Sequence, residues 1–171
     1  MEKLWSPWRS NYIESFNQEN KSNKCIFCEA IDQNIDSNEC LKVFDNKLCY
    51  TILNLYPYNS GHLMVVPKRH ISDLHDLTEQ EVSEMMDTVK LSMKALDIIM
   101  KPQGFNFGAN LGKAAGAGID DHIHFHIVPR WSGDTNFMPA LGDVKIISQD
   151  LIKTKINLIE AFGKLSLNES E

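Results

Sequence analysis

Apolar positions along the chain follow two different periods. Residues 41–44 and 48–55 are β-rich apolar runs separated by Asp45-Asn46-Lys47, which predicts a hairpin. Residues 62–66 form a third run, preceded by the turn-forming Tyr56-Pro57-Tyr58-Asn59-Ser60-Gly61 and stopped by Pro67. From Thr78 the period lengthens to nearly four. Thr78 and Glu81 make a capping box, and Val82, Met85, Met86, Val89, Met93 and Leu96 mark one apolar helical face. Pro102 and Gly104 end that helix near residue 100. Residues 105–110 read as a strand, 111–119 as a Gly/Ala-rich loop, and 122–128 as a strand with strict alternation. Residues 133–143 read as loop. Ser148 caps a last helix to about residue 165, with Leu151, Ile152, Leu158, Ile159 and Phe162 apolar. The expected fold class is α+β: an antiparallel sheet of about five strands, one long helix and a C-terminal helix. Residues 1–24 read as an aromatic arm, 25–145 as the main domain, and 146–171 as a C-terminal helix and frayed tail.

The length of 171 residues, with 43% hydrophobic and 23% charged positions, fits one globular domain that needs no disulfides. A formal charge of −6 argues against a protein that wraps duplex DNA or sits on an anionic membrane. Neither nucleic acid nor membrane is therefore an expected partner. By the same reading the charge argues against any anionic substrate. No run approaches the roughly 20 apolar residues of a spanning helix, and the N-terminus has no apolar signal core. A cytoplasmic location is expected, with reduced thiols. Cys25 and Cys28 form a CxxC, which in that compartment suggests metal or redox chemistry; Cys40 and Cys49 read as small core residues.

Half of the six histidines lie in Asp121-His122-Ile123-His124-Phe125-His126-Ile127-Val128. On a strand, His122, His124 and His126 share one face about 6.6–6.8 Å apart, while Ile123, Phe125 and Ile127 face the core. Packing alone would not choose such a row. It suits either three ligands of a catalytic metal or a neutral imidazole nucleophile whose neighbours fix its tautomer. The preceding Gly112-Lys113-Ala114-Ala115-Gly116-Ala117-Gly118 exposes backbone N–H groups to an anion. Beside the imidazoles, it suggests a phosphate held against a histidine.

His122-Ile-His124-Phe-His126-Ile-Val resembles the histidine-triad (HIT) motif. The resemblance extends to Asn54, to Gly61-His62 through Lys68-Arg69-His70, and to Pro129-Arg130, covering roughly residues 25–130. Leu4-Trp5-Ser-Pro-Trp8-Arg9, Asn110-Leu-Gly112 through Gly118, and Pro129-Arg130-Trp131-Ser-Gly133-Asp-Thr-Asn136-Phe137 look like the bacterial diadenosine-tetraphosphate phosphorylase-like branch. The resemblance implies a HIT-like fold for residues 25–145 and cleavage of dinucleoside polyphosphates through a nucleotidyl-histidine. His124 would attack the α-phosphorus, His126 would hydrogen-bond the phosphoryl oxygens, and His122 and His62 would support them. Asn54 falls at the ribose position, Asn110 at a phosphate contact, and Gly116, Ala117 and Gly118 in the phosphate loop. The best-known dinucleotide hydrolases carry a glutamine in this loop, and here it is replaced by a glycine-rich stretch that is one residue longer. Relatives with the CxxC hold structural zinc; carried over, its ligands are Cys25, Cys28, His70 and His122. No organic cofactor is implied. Water as acceptor would make the protein a hydrolase, and inorganic phosphate a phosphorylase. Hydrolysis of nucleoside phosphoramidates or adenylates is an alternative, and a non-catalytic nucleotide-binding sensor is another. Triad proteins usually form homodimers or higher homo-oligomers through the long helix and sheet edge. Trp5, Trp8 and Arg9 would cover a nucleobase, form a subunit contact or simply anchor the arm. The net charge then excludes long polyanions only. A glycine loop, an asparagine and imidazoles can bind a small polyphosphate without net basic charge.

Overall fold

A computed structural model describes residues 25–134, 147 and 149–168. The expectations for the 1–24 arm, for Ser148 as a cap, for residues 135–143 and for the last three residues lie outside the described residues. Within them, five strands form one antiparallel sheet in the order β1-β2-β3-β5-β4. These are β1 (Lys42–Asp45), β2 (Cys49–Leu53), β3 (Leu63–Pro67), β4 (Gly104–Gly108) and β5 (Phe125–Arg130). The described helices are α1 (Ile26–Ile31), α2 (Glu79–Met100) and α3 (Leu151–Asn168).

Helices α2 and α3 cover one face of the sheet. Leu53, Leu63, Val65 and Ile127 from the strands meet Met85, Leu96, Leu158 and Phe162 there. On the other face α1 buries Phe27 and Ala30 against Tyr50, Met64 and Val66, and the Tyr50 hydroxyl donates to the Phe27 carbonyl at 2.7 Å. Because both faces are covered, every residue of the central strand β3 is buried and its sequence shows no alternation. The six-residue α1 was not predicted, since one and a half turns display no readable period.

Helix α2 has the predicted capping box: the Thr78 hydroxyl accepts from the Glu81 N–H at 3.2 Å, and the Glu81 carboxylate accepts from the Thr78 N–H at 2.8 Å. Its buried stripe differs from the expected one. Met85, Val89 and Leu96 lie in it, but Thr88, Ser92 and Ala95 join them, while Val82 is exposed. The hydroxyls fit there because β2 supplies polar partners: Thr88 contacts the Cys49 sulfur and Ser92 the Thr51 hydroxyl, each at 3.3 Å.

The expected strand over 122–128 is corrected at its start, since the ladder begins at Phe125. Met64 pairs with His126 and Val65 with Phe125, so the next ladder bonds would involve Val66 and Pro67. Pro67 has no N–H, and its carbonyl accepts from His122 Nε2 at 2.9 Å. The Ile123 N–H instead donates to the Ile71 carbonyl at 2.7 Å. His122 and His124 therefore precede the strand. β3 is entered through a turn closed by the His62 N–H and the Asn59 carbonyl at 3.2 Å. Gly61 sits in that turn at φ +75°, and a Cβ there would lie 2.6 Å from Met100 Sδ.

Candidate active site and metal centre

The β3–β5 register places His62 beside His126, and His62, His122, His124 and His126 are all buried. Their hydrogen bonds fix where each proton sits. The Tyr58 N–H, which can only donate, points at His62 Nδ1 from 3.0 Å. The Asn54 side chain accepts the Tyr56 N–H at Oδ1, which turns its NH2 toward the same His62 nitrogen at 3.2 Å. His62 Nδ1 is thus an acceptor, and a neutral ring carries its proton on Nε2. That N–H donates to His126 Nδ1 at 2.9 Å, which leaves the His126 proton on Nε2. His126 Nε2 is buried and has no partner among the described residues. An unpaired buried donor costs about 1–3 kcal/mol, which an incoming oxygen would recover.

His124 has the opposite arrangement. Its Nδ1 lies 2.9 Å from the His122 carbonyl, so the proton sits on Nδ1 and the Nε2 lone pair is free. The His124 and His126 rings are 4.8 Å apart, edge to face. One ring thus offers a lone pair and its neighbour an N–H. Burial, followed by the adjacent His126 and His124, lowers His62 to about 3. Burial and then His124 lower His126 to about 4. His124 is also lowered by burial, with the His122 carbonyl opposing. All three rings are neutral near pH 7, as a nucleophilic imidazole must be.

Two aromatic residues complete the surround without having been expected in it. Phe27 of α1 packs 4.8 Å from His124, and Tyr58 lies 4.6 Å from His62 and 5.6 Å from His126. Tyr58 had read only as a turn residue; its one distinguishing signal is an aromatic ring among Pro, Asn, Ser and Gly. Asn54 is brought to the site, with its amide engaged by His62 and Tyr56. Asn110 is half-buried two residues past β4. Gly116, Ala117 and Gly118 lie in the β4–β5 connection. There the Ala115, Gly116 and Ala117 N–H groups donate to the Gly112 and Lys113 carbonyls at 3.0–3.4 Å, and Gly112 and Gly116 take left-handed φ values of 78° and 86°.

The metal-type residues gather below the row. Cys25, Cys28, His70 and His122 place one donor atom each within 4.8 Å of one another. His122 Nδ1 is 3.3 Å from the Cys25 sulfur and 3.6 Å from that of Cys28, and His70 Nδ1 is 3.3 Å from Cys28. Zn–S bonds of about 2.3 Å and Zn–N bonds of about 2.0–2.1 Å give tetrahedral S···N edges of about 3.6 Å, so the set fits a four-coordinate ion. The His122 proton is held on Nε2 by Pro67, which frees Nδ1 to ligate. Desolvation and then Cys25 raise the Cys28 thiol above its ordinary value; a cation between the two sulfurs would reverse that effect. Arg69, which precedes His70 in the chain, binds both Glu81 oxygens at 2.8 Å.

The HIT domain family model matches residues 36–133. AP-4-A phosphorylase of Mycobacterium tuberculosis is 41% identical over 160 residues, which are 91% of this chain and 81% of that protein. Adenosine 5'-monophosphoramidase of Schizosaccharomyces pombe is 32% identical over 62% of this chain and 74% of its own. Among solved structures, a Zn-bound histidine triad family protein from Mycobacterium smegmatis matches with a TM-score of 0.68 and 26% identity. That match covers 86% of this chain and 99% of the other.

Proposed function

The chain belongs to the HIT domain family, and on that premise we propose that it is a nucleotide-processing enzyme that cleaves diadenosine tetraphosphate with inorganic phosphate as acceptor. The observation that carries this reading is the His124 Nε2 lone pair beside the unpartnered His126 Nε2–H. In the first step His124 Nε2 forms a bond to the α-phosphorus, and the bond to the bridging oxygen breaks, releasing ATP. His126 Nε2–H donates to a non-bridging oxygen as its charge grows. The His122 carbonyl, held on His124 Nδ1–H, stabilises the ring as it becomes positive. In the second step an oxygen of inorganic phosphate attacks the same phosphorus, the P–N bond breaks, ADP leaves, and His124 is again neutral.

His62 fixes the proton on His126. Asn54 and Asn110, with the backbone at Gly116, Ala117 and Gly118, are assigned to the nucleotide on the family's pattern. Cys25, Cys28, His70 and His122 would hold zinc. With four protein ligands the ion supplies folding energy and keeps no open position for substrate. We assign a cytoplasmic setting, in keeping with reduced thiols. We also assign a homodimer or higher homo-oligomer: β4 is an exposed edge strand that pairs with β5 on one side only.

Diadenosine tetraphosphate incubated with and without phosphate tests the reading. ADP and ATP appearing only with phosphate is expected. AMP appearing in both arms would overturn phosphorolysis in favour of hydrolysis.

A further inference from the structure

The segment Pro129-Arg130-Trp131-Ser132-Gly133-Asp134 closes β5 and takes no part in the chemistry above, yet its carboxylate is the centre of a network. Asp134 Oδ2 accepts from Arg130 Nε at 2.6 Å, Asn59 Nδ2 at 2.8 Å and the Trp131 N–H at 3.2 Å, while Oδ1 accepts from Arg130 Nη2 at 3.0 Å. Arg130 is in turn held on β4 by Asn106 Oδ1 at 2.7 Å. The Asp134 side chain is 8% exposed and Asn59 6%, so the bond between them is shielded from water. Asn59 also donates to the Pro129 carbonyl at 3.0 Å, and its own carbonyl accepts the His62 N–H. The residue before Asn59 is Tyr58, whose N–H defines His62 Nδ1 as an acceptor. One carboxylate at the end of β5 therefore holds the turn that meets His62 at its backbone N–H and at its ring Nδ1.

We infer that Asn59 and Asp134 are positioning residues that set the tautomer of His62 and, through it, the proton on His126 Nε2. The rings can change only together. If the segment drifts, the Tyr58 N–H leaves His62 Nδ1 and the Tyr56 N–H releases the Asn54 amide that is the second donor there, so that nitrogen can take the proton. His62 Nε2 then becomes an acceptor, His126 must donate from Nδ1, and His126 Nε2 loses its hydrogen. No proton is gained or lost overall, and the triad stays neutral, but the donor aimed at the phosphoryl oxygen has gone. Losing one such donor costs about 10²–10³ in kcat in comparable sites.

The catalytic consequence rests on the role given to His126 above; the tautomer claim does not. The test is therefore a long-range ¹H–¹⁵N correlation spectrum of the histidine rings in the full chain, with kcat and KM measured on the same samples. Signals are assigned with His62→Gln. Wild type is expected to show Nε2–H tautomers at His62 and His126. Asn59→Ala is expected to convert both partly to Nδ1–H and to lower kcat with KM little changed. Should Asn59→Ala not fold, Asp134→Asn, which keeps the shape and removes the charge, carries the same measurement. Wild-type tautomers other than Nε2–H, or variant spectra identical to wild type, would overturn the inference. Converted tautomers with undiminished kcat would uphold it and instead remove His126 from the proposed mechanism.

Discussion

Acidification should destabilise this fold through two buried histidines, and the size of the effect follows from their environment. In the unfolded chain each ring titrates at about 6.5; in the folded protein burial lowers His62 to about 3 and His126 to about 4. Between those limits the unfolded state binds a proton that the folded state refuses. Stability is therefore complete above pH 6.5 and falls as the pH drops toward the folded values. At pH 4.5 the solution is two units below 6.5, and at about 1.4 kcal/mol per unit each ring removes about 2–3 kcal/mol, together about 5. That is comparable to the whole stability of many domains, about 5–15 kcal/mol. Urea unfolding at pH 7 and pH 4.5 measures the loss. Other groups titrate in this range, so the decisive comparison is with His62→Gln. Its amide can accept the Tyr58 N–H and donate to His126 without titrating. The variant should lose about 2–3 kcal/mol less than wild type over the same interval. An equal loss in the two proteins would refute the buried neutral state of His62.

Three further outcomes follow from the site and its supports. His124→Ala should abolish turnover while calorimetry still detects nucleotide binding; undiminished turnover would reject the covalent route. Cys28→Ala, or exhaustive chelation of the wild type, should remove the bound metal and lower Tm steeply, since zinc in small sites contributes on the order of 10 kcal/mol to folding. An unchanged Tm after chelation would reject a structural ion. Gly61→Ala should cost about 2–5 kcal/mol in urea unfolding. About 1–2 come from a side chain at φ +75° and about 1–3 from a Cβ set 2.6 Å from Met100 Sδ. A cost below about 0.5 kcal/mol, that of an ordinary surface change, would show that the turn relaxes freely.

Legibility in the sequence tracked how local each interaction is. The Thr78–Glu81 box spans three residues, and both its reciprocal bonds form as read. The start of β5 depends on Pro67, which is distant in sequence, so alternation alone placed it three residues early. The face of α2 was misjudged at Thr88 and Ser92 because hydroxyls read as solvent-facing until β2 supplies partners for them. The triad and the four metal-type residues were named through resemblance; the residue pattern by itself left a three-histidine metal and a CxxC redox pair open. Tyr58 gave only the signal of an aromatic ring within a turn, and Asn59 and Asp134 gave none. Asn59 and Asp134 are ordinary turn residues until the fold sets their side chains 2.8 Å apart.

The row of three histidines invites a single ion bound by all of them, and the ring orientations argue against it. Each Nδ1 addresses a different partner: the cysteines for His122, the His122 carbonyl for His124, and His62 for His126. His122 Nε2 is spent on Pro67, so it cannot converge with the remaining nitrogens of His124 and His126. Residue 122 instead joins two systems. Its ring completes the metal-type cluster, and its carbonyl orients the proposed nucleophile. An ion held by that cluster would pin the ring and, with it, the carbonyl that orients His124. The same geometry resolves the apparent conflict between a charge of −6 and a polyphosphate substrate. Recognition in the proposed reaction would use one oriented lone pair and one oriented N–H in a water-poor site, where neutral dipoles act strongly, and neither depends on the sign of the surface.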